Sequence, residues 1–112
     1  EEIAERTRIM EQALKEASEA PLALMEKIME ALALILRLSV IGSKIAISDA
    51  GVGAQMCKAA LNGASLNVFI NTKLMKDREL AESMNAKTDI LLAEGNNLAD
   101  EAYENVVKAI RG

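Results

Sequence analysis

A chain of 112 residues forms one domain at most, and its net charge of −4 argues against a protein that binds the backbone of nucleic acids. Hydrophobic residues make up 51% of the chain but aromatic ones only 2%, so the core must consist of aliphatic side chains and alanine, which suit closely packed helices. The sequence contains no histidine and therefore lacks the commonest general base and the commonest ligand of transition metals.

Three further features bear on the location and completeness of the protein. Its single cysteine, Cys57, excludes an internal disulfide and fits a reducing compartment, so we expect a cytoplasmic protein with Cys57 packed as a small apolar residue. The longest apolar run, residues 31–36, is far shorter than the ~20 residues that cross a bilayer, and we expect no membrane contact. The chain opens on Glu1 without a methionine, from which we expect a processed product or a piece of a longer protein.

The first part of the chain shows the pattern of long, packed helices. Apolar or small residues recur at alternating spacings of three and four over residues 3–38. Pro21 interrupts this pattern without shifting it, so we expect either a kink or a break there, with Pro21 at the start of a second helix. The pattern predicts helices at about residues 2–20 and 21–41, the second of which ends at Gly42.

A helix rich in small residues follows a loop at residues 42–47. Ser48 is placed as its N-cap, and Asp49 as a carboxylate of the first turn, where the helix dipole favours negative charge. The helix is predicted at about residues 49–71.

This helix has one polar face and one face of small residues. The polar face, which we expect to be wet, carries Gln55, Lys58, Asn62 and Ser65. On the opposite face, which we expect to be buried, Asn67 and Asn71 lie among glycines and alanines. Buried amides need hydrogen-bond partners, so these two asparagines contact either a neighbouring helix or a bound molecule.

A short connection at residues 71–76 leads to a last helix at about residues 77–111. Apolar side chains form one stripe along it, and Gly95 lies on that stripe as a point of close packing. A helix of this length measures ~50 Å, whereas a compact chain of this size has a radius of gyration of ~13 Å. We therefore expect an all-α, up-and-down bundle of long helices, completed by a partner chain or by a missing N-terminal segment.

Asp49 and the two asparagines each have two interpretations. Asp49 is either a helix-start carboxylate or a general acid or base. Asn67 and Asn71 are either a hydrogen-bonded pair that fixes the register between helices or a site that recognises the edge of a heterocycle. Because Asp49 and Asn67 are ~27 Å apart along one helix, they meet only if a second subunit runs antiparallel to the first.

A basic cluster follows the second asparagine. It comprises Lys73, Lys76 and Arg78. These side chains are either the solvated boundary between two helices or a clamp for the carboxylates of a ligand.

Four segments carry a resemblance to a known family: Pro21-Leu22, Ser48-Asp49-Ala50-Gly51-Val52, Ala64-Ser65-Leu66-Asn67-Val68-Phe69-Ile70-Asn71 and Lys76-Asp77. On these segments the chain resembles the formiminotetrahydrofolate cyclodeaminase family, which includes the methenyltetrahydrofolate cyclohydrolases. The resemblance spans essentially all 112 residues but covers only the C-terminal half or so of the family's domain. The Gly-rich helix hairpin with which members of the family begin has no counterpart here.

The resemblance implies an all-helical homodimer or higher oligomer that acts on a tetrahydrofolate derivative and needs no metal. It also implies an active site in a cleft shared with the missing segment and the second subunit. In the cyclodeaminase reaction, N10 of the folate attacks the formimino carbon on N5 and ammonia leaves. In the cyclohydrolase reaction, water adds to the methenyl carbon and the ring opens to 10-formyl-tetrahydrofolate.

The same resemblance suggests roles for individual residues. Asp49 is the candidate for proton transfer. Asn67 and Asn71 are the candidates for contact with the pterin. The candidates for binding the glutamyl carboxylates of folate are Lys44, Lys73 and Lys76.

Two functions from different classes therefore stand. The first is a fragment or component of a folate one-carbon enzyme, either a cyclodeaminase or a cyclohydrolase. The second is a non-catalytic helical scaffold or oligomerisation module with the same fold. The motifs favour the first, and the absence of the Gly-rich segment favours the second for this chain.

Overall fold

The chain forms three long α-helices. A computed structural model describes the backbone of residues 1–112 and all side chains except those of Lys44 and Ile45. The helices are α1 (Glu2–Ile41), α2 (Lys44–Leu74) and α3 (Arg78–Arg111). The all-α bundle expected from the sequence is confirmed.

The helices run up, down and up. Neighbouring helices are antiparallel, because residue numbers fall along one helix as they rise along the next. Between α1 and α2, Ala17 lies beside Asn71 and Ile35 beside Gly53. Between α2 and α3, Thr72 lies beside Asn85 and Lys58 beside Asp100. The result is a rod with extents of 68 × 18 × 15 Å and a radius of gyration of 18.1 Å. A compact chain of this length has a radius of gyration near ~13 Å, so the length of the helices sets the shape.

Short links with specific caps join the helices. The backbone N–H of Gly42 donates to the carbonyl of Leu38 (2.7 Å) at the end of α1, and the Ser43 hydroxyl accepts the N–H of Ala46 (3.3 Å) at the start of α2. Asp77 caps α3 by accepting the N–H of Leu80 at 3.1 Å. The expected end of the first half at Gly42 is thus observed.

Of the two outcomes expected at Pro21, the break between two helices is wrong, because α1 continues through this residue. Proline has no N–H, so the carbonyl four residues earlier, on Ala17, loses its helical partner. The side-chain amide of Asn71 donates to that carbonyl at 3.2 Å and also to the carbonyl of Asn67 at 2.8 Å. A side chain of α2 therefore replaces the hydrogen bond that Pro21 cannot make.

The start of α2 also differs from the expectation. Ser48 is not the N-cap; the helix begins at Lys44, with Ser43 as its cap. Two features extend it: Ser43 caps as well as Ser48 would, and the buried Ile47 side chain anchors the first turn in the core. Asp49 consequently lies in the second turn, away from the orphan N–H groups. At its other end α2 continues past Asn71 to Leu74, because Arg78 donates to the carbonyls of its last turn.

The core is a narrow seam of aliphatic side chains along the rod axis. Its fully buried members include Met25, Leu32, Leu61, Val68 and Ala99. Gly95 is the point of close packing that its place on the stripe predicted. A Cβ atom there would collide with Leu61 Cδ2 and would lie 2.9 Å from Met29 Sδ.

The two faces assigned to α2 from its sequence are only partly correct. Ser65 is buried rather than wet, and its hydroxyl donates to the carbonyl of Asn62 at 2.6 Å. Asn67, expected to be buried, is exposed. The reason is that α1 and α3 pack on adjacent sides of α2, so its buried arc includes Leu61, Ala64 and Val68 but does not reach Asn67.

Gly95→Ala is expected to lower the free energy of unfolding by about 1–3 kcal/mol, because Leu61 and Met29 must move to admit a methyl group. Urea unfolding followed by circular dichroism measures this change. Gly53→Ala is the matched control, since its Cβ meets only Ile35 Cδ1 at 3.4 Å; we expect a gain of up to ~1 kcal/mol. Equal stability of the two variants would contradict the packing described here.

Asn71→Ala is expected to lower the free energy of unfolding by about 0.5–1.5 kcal/mol, because the Ala17 carbonyl loses its donor. In a Pro21→Ala background, position 21 supplies an N–H to that carbonyl, and the same substitution should cost less. A double-mutant cycle in urea measures the difference. Asn67→Ala, at an exposed position on the same helix, should change stability by less than ~0.5 kcal/mol. An Asn71→Ala cost that is the same in both backgrounds would rule out this link to Pro21.

Candidate functional site

The segment Ser48–Val52 lines a groove between α2 and α3. The groove has a volume of about 580 Å³. Its walls are formed by Ser48, Gly51, Val52, Gln55, Met56 and Ala59 of α2 and by Tyr103, Val106, Val107 and Ile110 of α3. This volume is in the range of pockets that bind small molecules.

Gly51 allows the two walls of the groove to meet at its floor. A Cβ atom on this residue would lie 2.9 Å from Val106 Cγ1 and 3.3 Å from Val106 Cβ. Only glycine permits this approach of α2 to α3 without displacing Val106. Gly51, the glycine of the Ser48–Val52 motif, therefore has a structural role, which is to allow α2 and α3 to pack closely.

The groove is largely apolar and has few polar groups. Its polar side chains are the Ser48 hydroxyl, the Gln55 amide and the Tyr103 hydroxyl. Apolar walls with a few polar groups suit a flat ring system with heteroatoms on its edge. Asp49 follows Ser48 in the chain and is exposed, but it is not one of the residues that line the groove.

The other predicted site residues lie at the opposite end of α2. Asn67 and Lys73 are exposed, and Asn71 is half-buried. The Asn71 amide nitrogen is engaged by two backbone carbonyls, one of them on α1. Lys76 lies in the link between α2 and α3.

Around Lys76 the structure forms a second, smaller groove of about 250 Å³. It is lined by Arg6, Thr7, Met10, Glu11, Leu74 and Lys76. The Glu11 carboxylate accepts the backbone N–H groups of Lys76 (2.5 Å) and Asp77 (3.2 Å), which ties the link to α1. The side chains of Arg6 and Lys76 are both exposed here. This end of the rod therefore presents two cations beside the Glu11 carboxylate, which is already hydrogen-bonded to the link.

Arg78, the third member of the basic cluster, has a structural role. Its guanidinium donates to the carbonyls of Thr72 (2.9 Å), Lys73 (3.4 Å) and Met75 (3.0 Å). It also pairs with Glu82 at 3.1 Å. These bonds satisfy carbonyls that the end of α2 leaves without helical partners.

One chain does not bring the predicted site residues together. Asp49 is ~27 Å from Asn67 and ~33 Å from Asn71 along α2, at about 1.5 Å per residue. Asn67, Asn71, Lys73 and Lys76 share one end of the rod, and Asp49 lies near the other with the larger groove. The side chain of Lys44, the remaining candidate, lies outside the described residues.

The α3 wall of the larger groove was missed by sequence reasoning. Tyr103, Val107 and Ile110 are spaced at four and three residues, which is a helical stripe of its own beside the core stripe of α3. This second apolar stripe, which carries the only tyrosine of the chain, is a sequence pattern from which the α3 wall could have been predicted. Arg6 was also missed, because only the fold places it beside Lys76.

No three histidine, cysteine or acidic side chains among the described residues lie together as metal ligands. No helix within the described part of the chain is both long and apolar enough to cross a membrane.

Comparisons with known proteins agree with the motifs. The family model described as Formiminotransferase-cyclodeaminase matches residues 1–90. A methenyltetrahydrofolate cyclohydrolase of Methylorubrum extorquens is 38% identical over 106 residues, which are 95% of this chain and 51% of the relative. The chain thus spans about half the length of that curated relative. The family match includes the α2 wall of the groove, whereas the α3 wall from Tyr103 onward lies beyond it.

Proposed function

The chain belongs to the formiminotransferase-cyclodeaminase family, and on this basis we propose that it is part of an enzyme of folate one-carbon metabolism. The observation that carries the proposal is that the family-like segment Ser48–Val52 forms one wall of a ligand-sized groove. The cyclohydrolase reaction is the one we favour, because the similar relative from Methylorubrum extorquens bears that name. The single cysteine supports a cytoplasmic location as part of the same proposal.

In this proposal the larger groove holds the pterin ring system of the folate. The volume of about 580 Å³ accommodates a bicyclic ring, and the side chains of Val52, Met56 and Val107 supply apolar contacts to its faces. The Gln55 amide and the Tyr103 hydroxyl supply a donor and an acceptor to its edge.

Asp49, the chain neighbour of the groove residue Ser48, is the proposed acid–base group. In the cyclohydrolase reaction, the oxygen of water bonds to the methenyl carbon and the bond from that carbon to N5 breaks. The Asp49 carboxylate would take one proton from water as the oxygen bonds to the carbon and deliver it to N5 as the bond to N5 breaks. The second proton of the water leaves to solvent as the formyl C=O forms, so that Asp49 ends the cycle unprotonated. In the cyclodeaminase reaction, the same group would protonate the departing ammonia.

The basic residues would hold the glutamyl carboxylates of folate, but they cannot all do so from the same chain. Lys73 and Lys76 lie at the far end of α2, ~36 Å or more from Asp49. Lys44 is the candidate cation closest in sequence to the groove. A role for Lys73 and Lys76 at this groove therefore requires a second copy of the chain.

Val107→Trp is expected to weaken binding of 5-formyl-tetrahydrofolate at least about tenfold, because the indole fills the groove beside Tyr103. Titration calorimetry measures the affinity. Ile90→Trp places the same side chain at an exposed position of α3 outside the groove and should leave the affinity unchanged. If both variants bind like the original chain, the ligand does not occupy this groove.

Asp49→Asn is expected to lower kcat about 100-fold to 10,000-fold while folate affinity changes only a few-fold, because the amide keeps the shape but cannot accept a proton. The assay follows loss of the methenyl compound. Asp89→Asn, an exposed carboxylate on α3, is the control and should retain full turnover. Unchanged turnover by the Asp49 variant would assign the proton transfer elsewhere. A folded chain that binds no folate at all would favour the scaffold function instead.

A further inference from the structure

A charged pair lies on the seam between α2 and α3, next to the larger groove. Lys58 of α2 faces Asp100 of α3, and its Nζ donates to Asp100 Oδ1 at 2.6 Å. Because the helices are antiparallel, moving three residues back on α2 and three forward on α3 sets Gln55 opposite Tyr103. Both of these side chains line the groove. The charged pair therefore occupies the next helical turn, toward the middle of the rod.

A ligand in the groove comes close to this pair, although the pair does not itself line the groove. One helical turn separates it from Gln55 and Tyr103, which is about 5 Å along the helix axes. A ring that contacts those two side chains therefore has one edge within about a turn of the ammonium and the carboxylate.

The pair keeps hydrogen-bonding capacity for a ligand. An ammonium has three donors and a carboxylate has two acceptor oxygens, so the bond between Lys58 and Asp100 occupies only one donor and one oxygen. The two side chains are 36% and 56% exposed, respectively. Their remaining donors and acceptors are thus accessible from the side on which the groove opens.

The next pair along the same seam is different. The amides of Asn62 and Asn96 bond to each other in both directions, at 2.8 and 3.3 Å. The Asn62 nitrogen also donates to the carbonyl of Lys58 at 2.7 Å. These amides satisfy each other and join the two helices, whereas the charged pair can join the helices and also bind a ligand.

An adjacent carboxylate and ammonium are complementary to one edge of the folate ring system. The pterin carries its 4-oxo oxygen, its N3–H and its 2-amino group side by side. A carboxylate accepts two parallel hydrogen bonds from neighbouring N–H groups, as it does from a guanidinium. An ammonium next to that carboxylate is placed to donate to the carbonyl oxygen at the end of the same edge.

We propose that Lys58 and Asp100 form the subsite that recognises the 2-amino-4-oxo edge of the pterin. Asp100 accepts the N3–H and the 2-amino group, and Lys58 donates to the 4-oxo oxygen. This inference rests on the proposed function, because it takes the larger groove as the pterin site. Asp100 lies beyond residues 1–90, which the family model matches, so the assignment depends on the register of α2 and α3 in this chain.

Exchanging the two charges separates recognition from a purely structural role. An ion pair as exposed as this one contributes little to stability. The double variant Lys58→Asp with Asp100→Lys keeps an ion pair between α2 and α3 but reverses its direction. If the pair only joined the helices, this exchange would leave folate affinity unchanged. If the pair reads the pterin edge, each charge in the exchanged chain faces the wrong group.

Titration calorimetry with 5-formyl-tetrahydrofolate tests the subsite. Asp100→Asn is expected to weaken binding about 10-fold to 100-fold, because the amide replaces one acceptor oxygen with a donor. The exchanged chain should lose at least as much affinity. Glu26→Gln is the matched control, since it breaks the ion pair of Glu26 with Lys87 between α1 and α3, where the side chains are 47% and 56% exposed. This control should bind like the original chain, and circular dichroism in urea should show the same stability for all the chains.

A pair of ring analogues tests which edge is read. Pterin has the 2-amino group, and 2,4-dioxopteridine has a carbonyl in its place, which repels a carboxylate. In competition with 5-formyl-tetrahydrofolate, the original chain should prefer pterin about 10-fold to 100-fold. Asp100→Asn should lose most of this preference, and Glu26→Gln should keep it.

The outcomes separate this inference from the function on which it rests. If the original chain binds 5-formyl-tetrahydrofolate and the Asp100→Asn and exchanged chains bind it equally well, the subsite is overturned and the folate function stands. Equal affinity of the original chain for the two analogues would also overturn the subsite alone. If none of the folded chains binds the folate, the proposed function fails and the subsite fails with it.

Discussion

The structure depends on an excess of apolar surface on α2. Each of the three helices buries one apolar face in the bundle, but α2 has a second apolar face that the bundle leaves exposed. With α1 and α3 packed on adjacent sides of α2, the arc centred on Leu61 and Val68 is enclosed and the opposite arc remains in water. Burying a large aliphatic side chain is favourable by about 1.5–3 kcal/mol, and the exposed side chains of this arc forgo that stabilisation in the three-helix bundle. The larger groove lies beside the contact between Gly51 and Val106, where α2 and α3 approach each other closely.

Polar contacts at one end of the rod fix the register of the three helices. Asn71 donates to the Ala17 carbonyl that Pro21 cannot serve, and Glu11 accepts two N–H groups of the link between α2 and α3. Aliphatic packing alone tolerates sliding by a helical turn, whereas these bonds are satisfied in one register only. Asn71 thus has a structural function whether or not it also meets a ligand.

Sequence reasoning predicted the helical class, the extended shape and the end of α1 at Gly42, since these follow from periodicity and from glycine. It failed at Pro21 and at Ser48 for a common reason. Both are local signals for a helix boundary, and both were overridden by tertiary contacts, from Asn71 in one case and through the buried Ile47 in the other. The motif segment was found from sequence as a candidate site, but the α3 wall with Tyr103 was not, because a groove between two helices depends on their spacing rather than on either sequence. The separation of Asp49 from Asn67, by contrast, was predicted from their spacing of 18 residues, because both lie on one helix.

The proposed acid–base role of Asp49 sets a requirement on the surroundings of its carboxylate. In this chain the carboxylate is exposed, whereas acid–base catalysis by a carboxylate is most effective where water is partly excluded. Asp49 precedes the exposed Met56 by one heptad, so the two side chains lie on the same side of α2, and a surface that covers Met56 also covers Asp49. The proposed role of Asp49 therefore requires that a surface beyond these three helices cover this side of α2.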